Sequence, residues 1–291
     1  MNVVSLMVAL ALAINSLWSW ASEPQGTLKK IVDTRTIRLG YQKDLAPFSF
    51  AGADGRPSGY SVDLCHRIVA GIRNEFALEL LDIEWIEVTL SDRFQRVADG
   101  TIDLECAVAA ITLSRLRQVD FSAMIWIDSK TFLVKRGRSV KKLADLAGKR
   151  VAVVANTTIE KILREVLLNQ VLDGGAVTTE VVLLKDHREG LDALVRGSVD
   201  AVASDRMVLA RLAAEAPDPQ QLSVADYQFA YEPLALTLRR NDADFKFAVN
   251  QVLARLYRTG AVKQIYNRWF SNIGPPSPLL DSLYDLNGLR D

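Results

Sequence analysis

Short apolar runs alternate along this chain with longer stretches whose apolar residues recur every three to four positions, the pattern of strands interleaved with helices. It predicts a strand over 37–41, a helix over 62–76 and a strand over 83–88, followed by a short helix over 93–98. A second series repeats the order: strand 151–154, helix 159–168, strand 181–184, helix 189–196. Between the two series an extended stretch near 129–134 leaves the first lobe, and another at 231–237 returns to it. A helix over 244–257 then places Phe245, Ala248, Val249, Val252 and Leu256 on one face, and a shorter helix ends at Trp269, so this segment is expected to pack back on the first lobe. Pro275, Pro276 and Pro278 close the compact part, and residues 276–291 are expected as a surface tail.

One unit occurs in both series. Gly100-Thr101-Ile102-Asp103 and Gly197-Ser198-Val199-Asp200 each follow a helix and run into a small apolar strand. Glycine stops the helix and aspartate opens the strand, so the same α/β step has been built twice. The expected fold is α/β, two Rossmann-like lobes joined by two crossing strands that form a hinge. The expected boundaries are 26–130 for the first part of lobe one, 131–230 for lobe two and 231–275 for the return segment. In open α/β sheets ligands bind beyond the carboxyl ends of the strands. Those ends carry Thr112 and Arg115 in one lobe and Asp205 in the other, a cation facing an anion across a cleft.

Composition narrows the partner. The 291 residues are 49% hydrophobic, enough for two ordinary cores, and 35 basic side chains balance 35 acidic ones. No basic block or aromatic-interleaved Lys/Arg stripe is present, which argues against nucleic acid and for a small molecule. No apolar seam is visible in the pattern, so a monomer is expected. An apolar run over 3–14 leads to Ser19-Trp20-Ala21, whose small residues suit signal peptidase, so residues 1–21 read as a signal peptide for export to the periplasm. The start lacks the usual Lys or Arg, which leaves an uncleaved anchor as the alternative, and no Cys follows the run to mark a lipoprotein. Cys65 and Cys106 both lie in lobe one; export permits a disulfide, and two buried thiols are the competing reading. With His66 and His187 as the only histidines and no CxxC, a zinc site has too few ligands, and no cofactor is implied.

Gly59-Tyr60-Ser61-Val62-Asp63-Leu64, with Ile68, Val69 and Ile72, resembles the signature of the bacterial family 3 extracellular solute-binding proteins, the amino-acid receptors of ABC importers. Asp103-Leu104-Glu105-Cys106, Thr112-Leu113-Ser114-Arg115, Val119-Asp120-Phe121-Ser122, Asp145-Leu146-Ala147-Gly148-Lys149, Lys185-Asp186-His187 and Ile265-Tyr266-Asn267-Arg268-Trp269-Phe270 extend it over nearly all of the mature chain. Ser61, where the signature has an acidic residue, points to the glutamate/aspartate-binding branch. The resemblance implies a type II periplasmic-binding-protein fold, an amino acid or close analogue as ligand, and an inner-membrane ABC permease as partner.

It also assigns roles. Arg115 grips the ligand α-carboxylate, beside a helix start capped by Thr112 whose free N–H groups favour an anion. Asp205 receives the α-ammonium; its competing role is to cap the helix beginning at Arg206. Thr157 lies in the loop that donates hydrogen bonds to the carboxylate, with Asn156 in place of the usual glycine; a plain helix cap is the other reading. Arg93 points at the ligand side chain or is a solvated helix-start charge. His187 matches a ligand position of the acidic-amino-acid branch, although a lone histidine near a helix start is more often structural.

Departures qualify the match. Ala107-Val108-Ala109-Ala110 stands where the family carries Gly and Thr, so Ala110 offers no hydroxyl to the ammonium, a loss of roughly 1.5 to 3 kcal/mol. Gln42 replaces an arginine of the acidic-ligand branch, and Leu45 and Leu90 supply an aliphatic wall where relatives stack an aromatic ring. Two other readings follow: a diverged paralogue with altered or lost amino-acid binding, in which Ala110→Thr would restore affinity, and a cyclohexadienyl dehydratase-like enzyme. The enzyme needs a placed general acid, for which Glu160 is the nearest carboxylate.

Overall fold

The computed structural model describes residues 23–172, 179–271 and 275–290; the expected signal peptide lies outside them. Helix α1 (Gly26–Thr34) leads into β1 (Thr36–Tyr41). A small antiparallel ribbon follows, β2 (Asp44–Leu45), β3 (Ser49–Ala51) and β4 (Pro57–Ser58), then α2 (Tyr60–Glu75), β5 (Asp82–Glu87), α3 (Arg93–Ala98) and β6 (Leu104–Ala110). The long strand β7 (Asp120–Lys135) opens a second series: β8 (Arg150–Val154), α4 (Thr158–Leu172), β9 (Glu180–Leu184), α5 (His187–Arg196), β10 (Ala201–Asp205), α6 (Arg206–Ala214) and β11 (Leu222–Val224). Strand β12 (Ala230–Leu238) returns, and α7 (Ala243–Arg258), α8 (Ala261–Phe270) and α9 (Pro278–Asn287) complete the chain.

One sheet runs through both series in the order β5-β1-β6-β12-β7-β10-β8-β9, with β11 added on β7. The outer strands of each half are parallel, and the crossing strands β7 and β12 are antiparallel to each other and to β6 and β10. Helices cover both faces, as parallel strands require. Consecutive residues of β8 enter different cores: Val151 and Val153 pack with Phe132 and Leu163, whereas Ala152 packs with Leu191 and Leu209. This is the two-residue period of a strand buried on both sides.

The repeated unit performs the same job twice. Gly100 (φ 79°) and Gly197 (φ 78°) both sit in the left-handed region just past a helix, where a side chain would be strained. Asp103 accepts a hydrogen bond from the Arg38 backbone N–H at 2.9 Å, and Asp200 accepts one from the Arg150 N–H at 3.0 Å. In each half the aspartate therefore ties its own strand to the start of the neighbouring parallel strand. Gly59 has a different reason: its φ is 130°, and a Cβ there would lie 2.4 Å from the Phe48 carbonyl oxygen.

Cys65 on α2 and Cys106 on β6 form a disulfide across a Cα separation of 6.0 Å, which decides between the two readings of the pair. The segment expected as a tail is instead a packed helix. Leu280, Leu283 and Tyr284 of α9 are buried, the Tyr284 ring stacks on Tyr257, and its hydroxyl lies 2.9 Å from that of Tyr60. Pro278 takes the first helical position and Ser277 caps it, accepting from the Leu280 N–H, so the proline run starts an element rather than ending the fold. No described helix is long and apolar enough to cross a membrane.

Candidate functional site

The sequence-predicted residues gather at the carboxyl ends of the parallel strands in both halves. In the first half Gln42 follows β1, Leu90 follows β5, and Ala110 ends β6 just before Thr112 and Arg115. Arg115 is half-buried; its backbone N–H donates to Thr112 Oγ1 at 3.2 Å, and its Nη1 donates to the Ala110 carbonyl at 2.8 Å. Burial lowers its pKa first and the like charge of Arg93 second, while Glu232 and Glu105 oppose the shift. It stays a cation, since a guanidinium does not lose its proton in proteins. The helix expected at Arg115 is a single 3₁₀ turn, Arg115–Arg117, so the anion-favouring field there is that of a few N–H groups.

Arg93 is not the solvated helix-start charge of the alternative reading. It is 5% exposed, donates from Nη1 to Glu105 Oε1 at 3.1 Å and to the Val108 carbonyl at 3.2 Å, and lies 4.4 Å from the Phe94 ring centroid. Arg115 approaches the same ring at 5.2 Å, which lines the two guanidinium groups along one aromatic side chain. Gln42 Nε2 donates to the same Glu105 oxygen at 3.0 Å. Leu45, in β2, is half-buried against the core of this half, whereas Leu90 stands 71% exposed.

In the second half Asp205 ends β10 and occupies the N-cap position of α6, but its side chain makes no cap hydrogen bond. It is ion-paired with Lys130, its direct cross-strand partner on β7. Lys130 also reaches Asp128 Oδ2 at 3.2 Å and Glu232 Oε2 at 3.1 Å. The lysine side chain is 2% exposed, against 15%, 28% and 27% for Asp128, Asp205 and Glu232, so three carboxylates lie over one buried ammonium. Burial alone would lower the Lys130 pKa, but Asp128 and Asp205 outweigh it and raise it. Burial and then the Asp205 charge push Asp128 up to about 7, with Lys130 opposing.

That shift has a sign for stability. A folded-state pKa above the ordinary 3.8 means that folding binds the Asp128 proton, so the contribution is present at low pH and is lost as pH rises from about 4 through about 7. Asp128→Asn removes this titration. Its melting temperature relative to wild type should therefore be higher at pH 8 than at pH 5, and equal differences at the two pH values would show that Asp128 does not carry the cost.

His187 starts α5 and pairs its Nε2 with Ser204 Oγ at 3.0 Å, next to Asp205; burial lowers its pKa, with Asp205 opposing, so the ring is neutral at pH 7. Thr157 caps α4: Oγ1 donates to the Val154 carbonyl at 2.8 Å and accepts from the Glu160 N–H at 3.2 Å. Asn156 has φ 62°, the left-handed conformation that suits glycine and that asparagine tolerates. Glu160 closes the cap by accepting from the Asn156 N–H at 2.8 Å and pairs with Arg164 at 2.9 Å. The Arg164 hydrogen bond, then the Asn156 N–H, lower its pKa, so it carries no proton at neutral pH and is a poor general acid.

Sequence reasoning missed Lys130, Asp128, Glu232 and the burial of Glu105. A signal was present: Asp128 and Lys130 are two residues apart in a crossing strand and so share one face. Glu232 faces Asp128 directly across the β7–β12 pair, a like-charge opposition that needs a cation between.

A sheet that passes through two α/β halves, with charged side chains at the carboxyl ends of both and two crossing strands between, is the architecture of a two-lobe solute-binding protein. The chain belongs to the family described as bacterial extracellular solute-binding proteins, family 3, which it matches over residues 37–272. It is 33% identical over 275 residues to the L-glutamate/L-aspartate-binding protein of Pseudomonas aeruginosa, covering 94% of this chain and 89% of that one. It is 27% identical to the glutamate/aspartate import solute-binding protein of Escherichia coli, with the same two coverages. A crystal structure of an ancestral amino acid-binding protein, a precursor of cyclohexadienyl dehydratase, superposes with a TM-score of 0.59 at 25% identity, covering 84% of this chain and 100% of that one.

Proposed function

We propose that this solute-binding protein is a periplasmic, monomeric receptor that captures an amino acid or close analogue between its two halves and delivers it to an ABC importer. The observation that carries this reading is the placing of Arg115 just beyond β6 and of Asp205 at the end of β10, with Asp128 and Glu232 beside Asp205 on the crossing strands, close enough for Glu232 to act on the Arg115 charge. Arg115 takes the α-carboxylate, with Thr112 fixing its backbone, and the carboxylates take the α-ammonium. Arg93, Ala110, Leu45 and Leu90 face the rest of the ligand from the first lobe, and Thr157 and His187 from the second. Residues 131–230 move as one lobe on β7 and β12. Closure is favoured because only the closed form brings both charged partners to the ligand at once, a shift set by the difference in affinity between the two forms.

Amino-acid-binding relatives support the receptor over the enzyme, as does the ionised, capping state of Glu160. A panel of amino acids tested by thermal unfolding of ligand-stripped protein checks the reading: a true ligand at a hundred times its dissociation constant stabilises by about 2.7 kcal/mol. Arg115→Ala should weaken that ligand by about 2–3 kcal/mol, roughly 30- to 150-fold, with little change in the unliganded melting temperature. An unaltered affinity would remove Arg115 from the site, and turnover of prephenate would favour the enzyme.

A further inference from the structure

The charges around the crossing strands and the adjoining strand ends do not balance, and the imbalance bears on which amino acid fits. Arg93, Arg115 and Lys130 are three cations; Glu105, Asp128, Asp205 and Glu232 are four carboxylates. The two signs are also distributed unequally by depth. Arg93 is 6% exposed in its side chain and already bonded to Glu105, and Lys130 is 2% exposed beneath its three carboxylates. The outward-facing groups are therefore one guanidinium, Arg115, against Asp128, Asp205 and Glu232. Glu105, 1% exposed in its side chain, is the counter-ion of Arg93, so that pair cancels and the local excess is one negative charge. Gln42, at the same spot, contributes an amide and no charge.

An α-amino acid brings one carboxylate for Arg115 and one ammonium for the carboxylate face, and leaves the local excess of one negative charge as it was. A second carboxylate on the ligand doubles that excess, and the remaining cations are already held, Arg93 by Glu105 and Lys130 by its three carboxylates. A cationic side chain cancels the excess. In a closed, water-poor cleft such differences are felt strongly, because the effective dielectric falls well below that of water.

We propose that this cleft selects amino acids of net positive charge, accepts neutral ones more weakly and rejects dicarboxylates. The Asp128–Lys130–Asp205–Glu232 cluster is the specificity determinant: Lys130 holds the carboxylates together from below, and their exposed edges read the ligand's cationic groups. The selectivity departs from the substrates named for the relatives reported above. It rests on the amino-acid receptor reading.

The test is isothermal titration of the ligand-stripped protein with lysine, arginine, glutamine, glutamate and aspartate at pH 8 and low salt. Lysine or arginine should bind at least tenfold more tightly than glutamate or aspartate, with glutamine between. Glu232→Gln and, separately, Asp128→Asn should each narrow the ratio of cationic to dicarboxylate affinity by about tenfold, and raising the salt should narrow it in the wild type. Glutamate or aspartate binding as tightly as lysine would overturn the selectivity while leaving the receptor reading intact. A ratio unchanged in both variants would remove the cluster as its cause. If no amino acid of any charge binds, the receptor reading itself falls, and this inference falls with it.

Discussion

Replacing Lys130 with Met should lower the stability of the unliganded protein by about 3–5 kcal/mol, the cost of removing one partner from a buried ion pair. The side chain is 2% exposed and is the shared counter-ion of Asp128, Asp205 and Glu232, which approach it from β7, β10 and β12. Without it, three carboxylates remain at the junction of three strands. Asp128, already pushed up to about 7 with Lys130 opposing, should then hold its proton to still higher pH. Stability tied to a raised carboxylate pKa is present at low pH and lost as pH rises, and the deficit of Lys130→Met should therefore be small near pH 4 and largest above pH 7. Chemical denaturation across that range checks the prediction. A deficit below about 1 kcal/mol at pH 8 would mean that water, rather than Lys130, neutralises the cluster.

Cys65→Ala should cost about 4 kcal/mol. The bond closes a loop spanning a sequence separation of 41 residues, and the chain-entropy estimate for a loop of that length gives roughly this value. For a protein of this size that corresponds to a fall in melting temperature of very roughly 8–16 °C. The disulfide joins helix α2 to β6, the strand that ends at Ala110 and leads to Thr112 and Arg115 of the proposed site. Its loss should loosen the first lobe more than the second. Hydrogen exchange on the Cys65→Ala protein would report this as faster exchange in α2 and β6 than in β8 and β10, and a uniform change in both halves would argue against a local effect.

The elements at the strand ends were legible because they rest on local rules. Arg93–Ala98 is the helix that the sequence pattern predicts, and strand 151–154 differs from β8 by one residue at its start. The paired Gly-x-x-Asp units announced two α/β halves because a left-handed stop and a strand-opening carboxylate each need a particular residue type. Helix α9 was not legible. Pro275 to Pro278 reads as an ending, and burial of Leu280, Leu283 and Tyr284 against distant elements, with the Tyr284 hydroxyl on that of Tyr60, 224 residues away, makes it a beginning. Arg93 was ambiguous in the same way, since its burial at the start of α3 depends on Glu105 of β6 pairing with it.

By itself, the amino-acid sequence determined the α/β order, the duplicated step, the two crossings and the family, together with the positions of Arg115 and Asp205 at strand ends. Each of these follows from hydrophobic period, from turn chemistry, or from a run of residues read in order. Tertiary structure alone decided that Cys65 bonds Cys106, that α9 belongs to the core, and that Asp205 shares Lys130 with Asp128 and Glu232. The reason is distance along the chain: register across β7, β10 and β12 brings together side chains up to 104 residues apart, and no local pattern encodes which charges will meet in a low-dielectric junction.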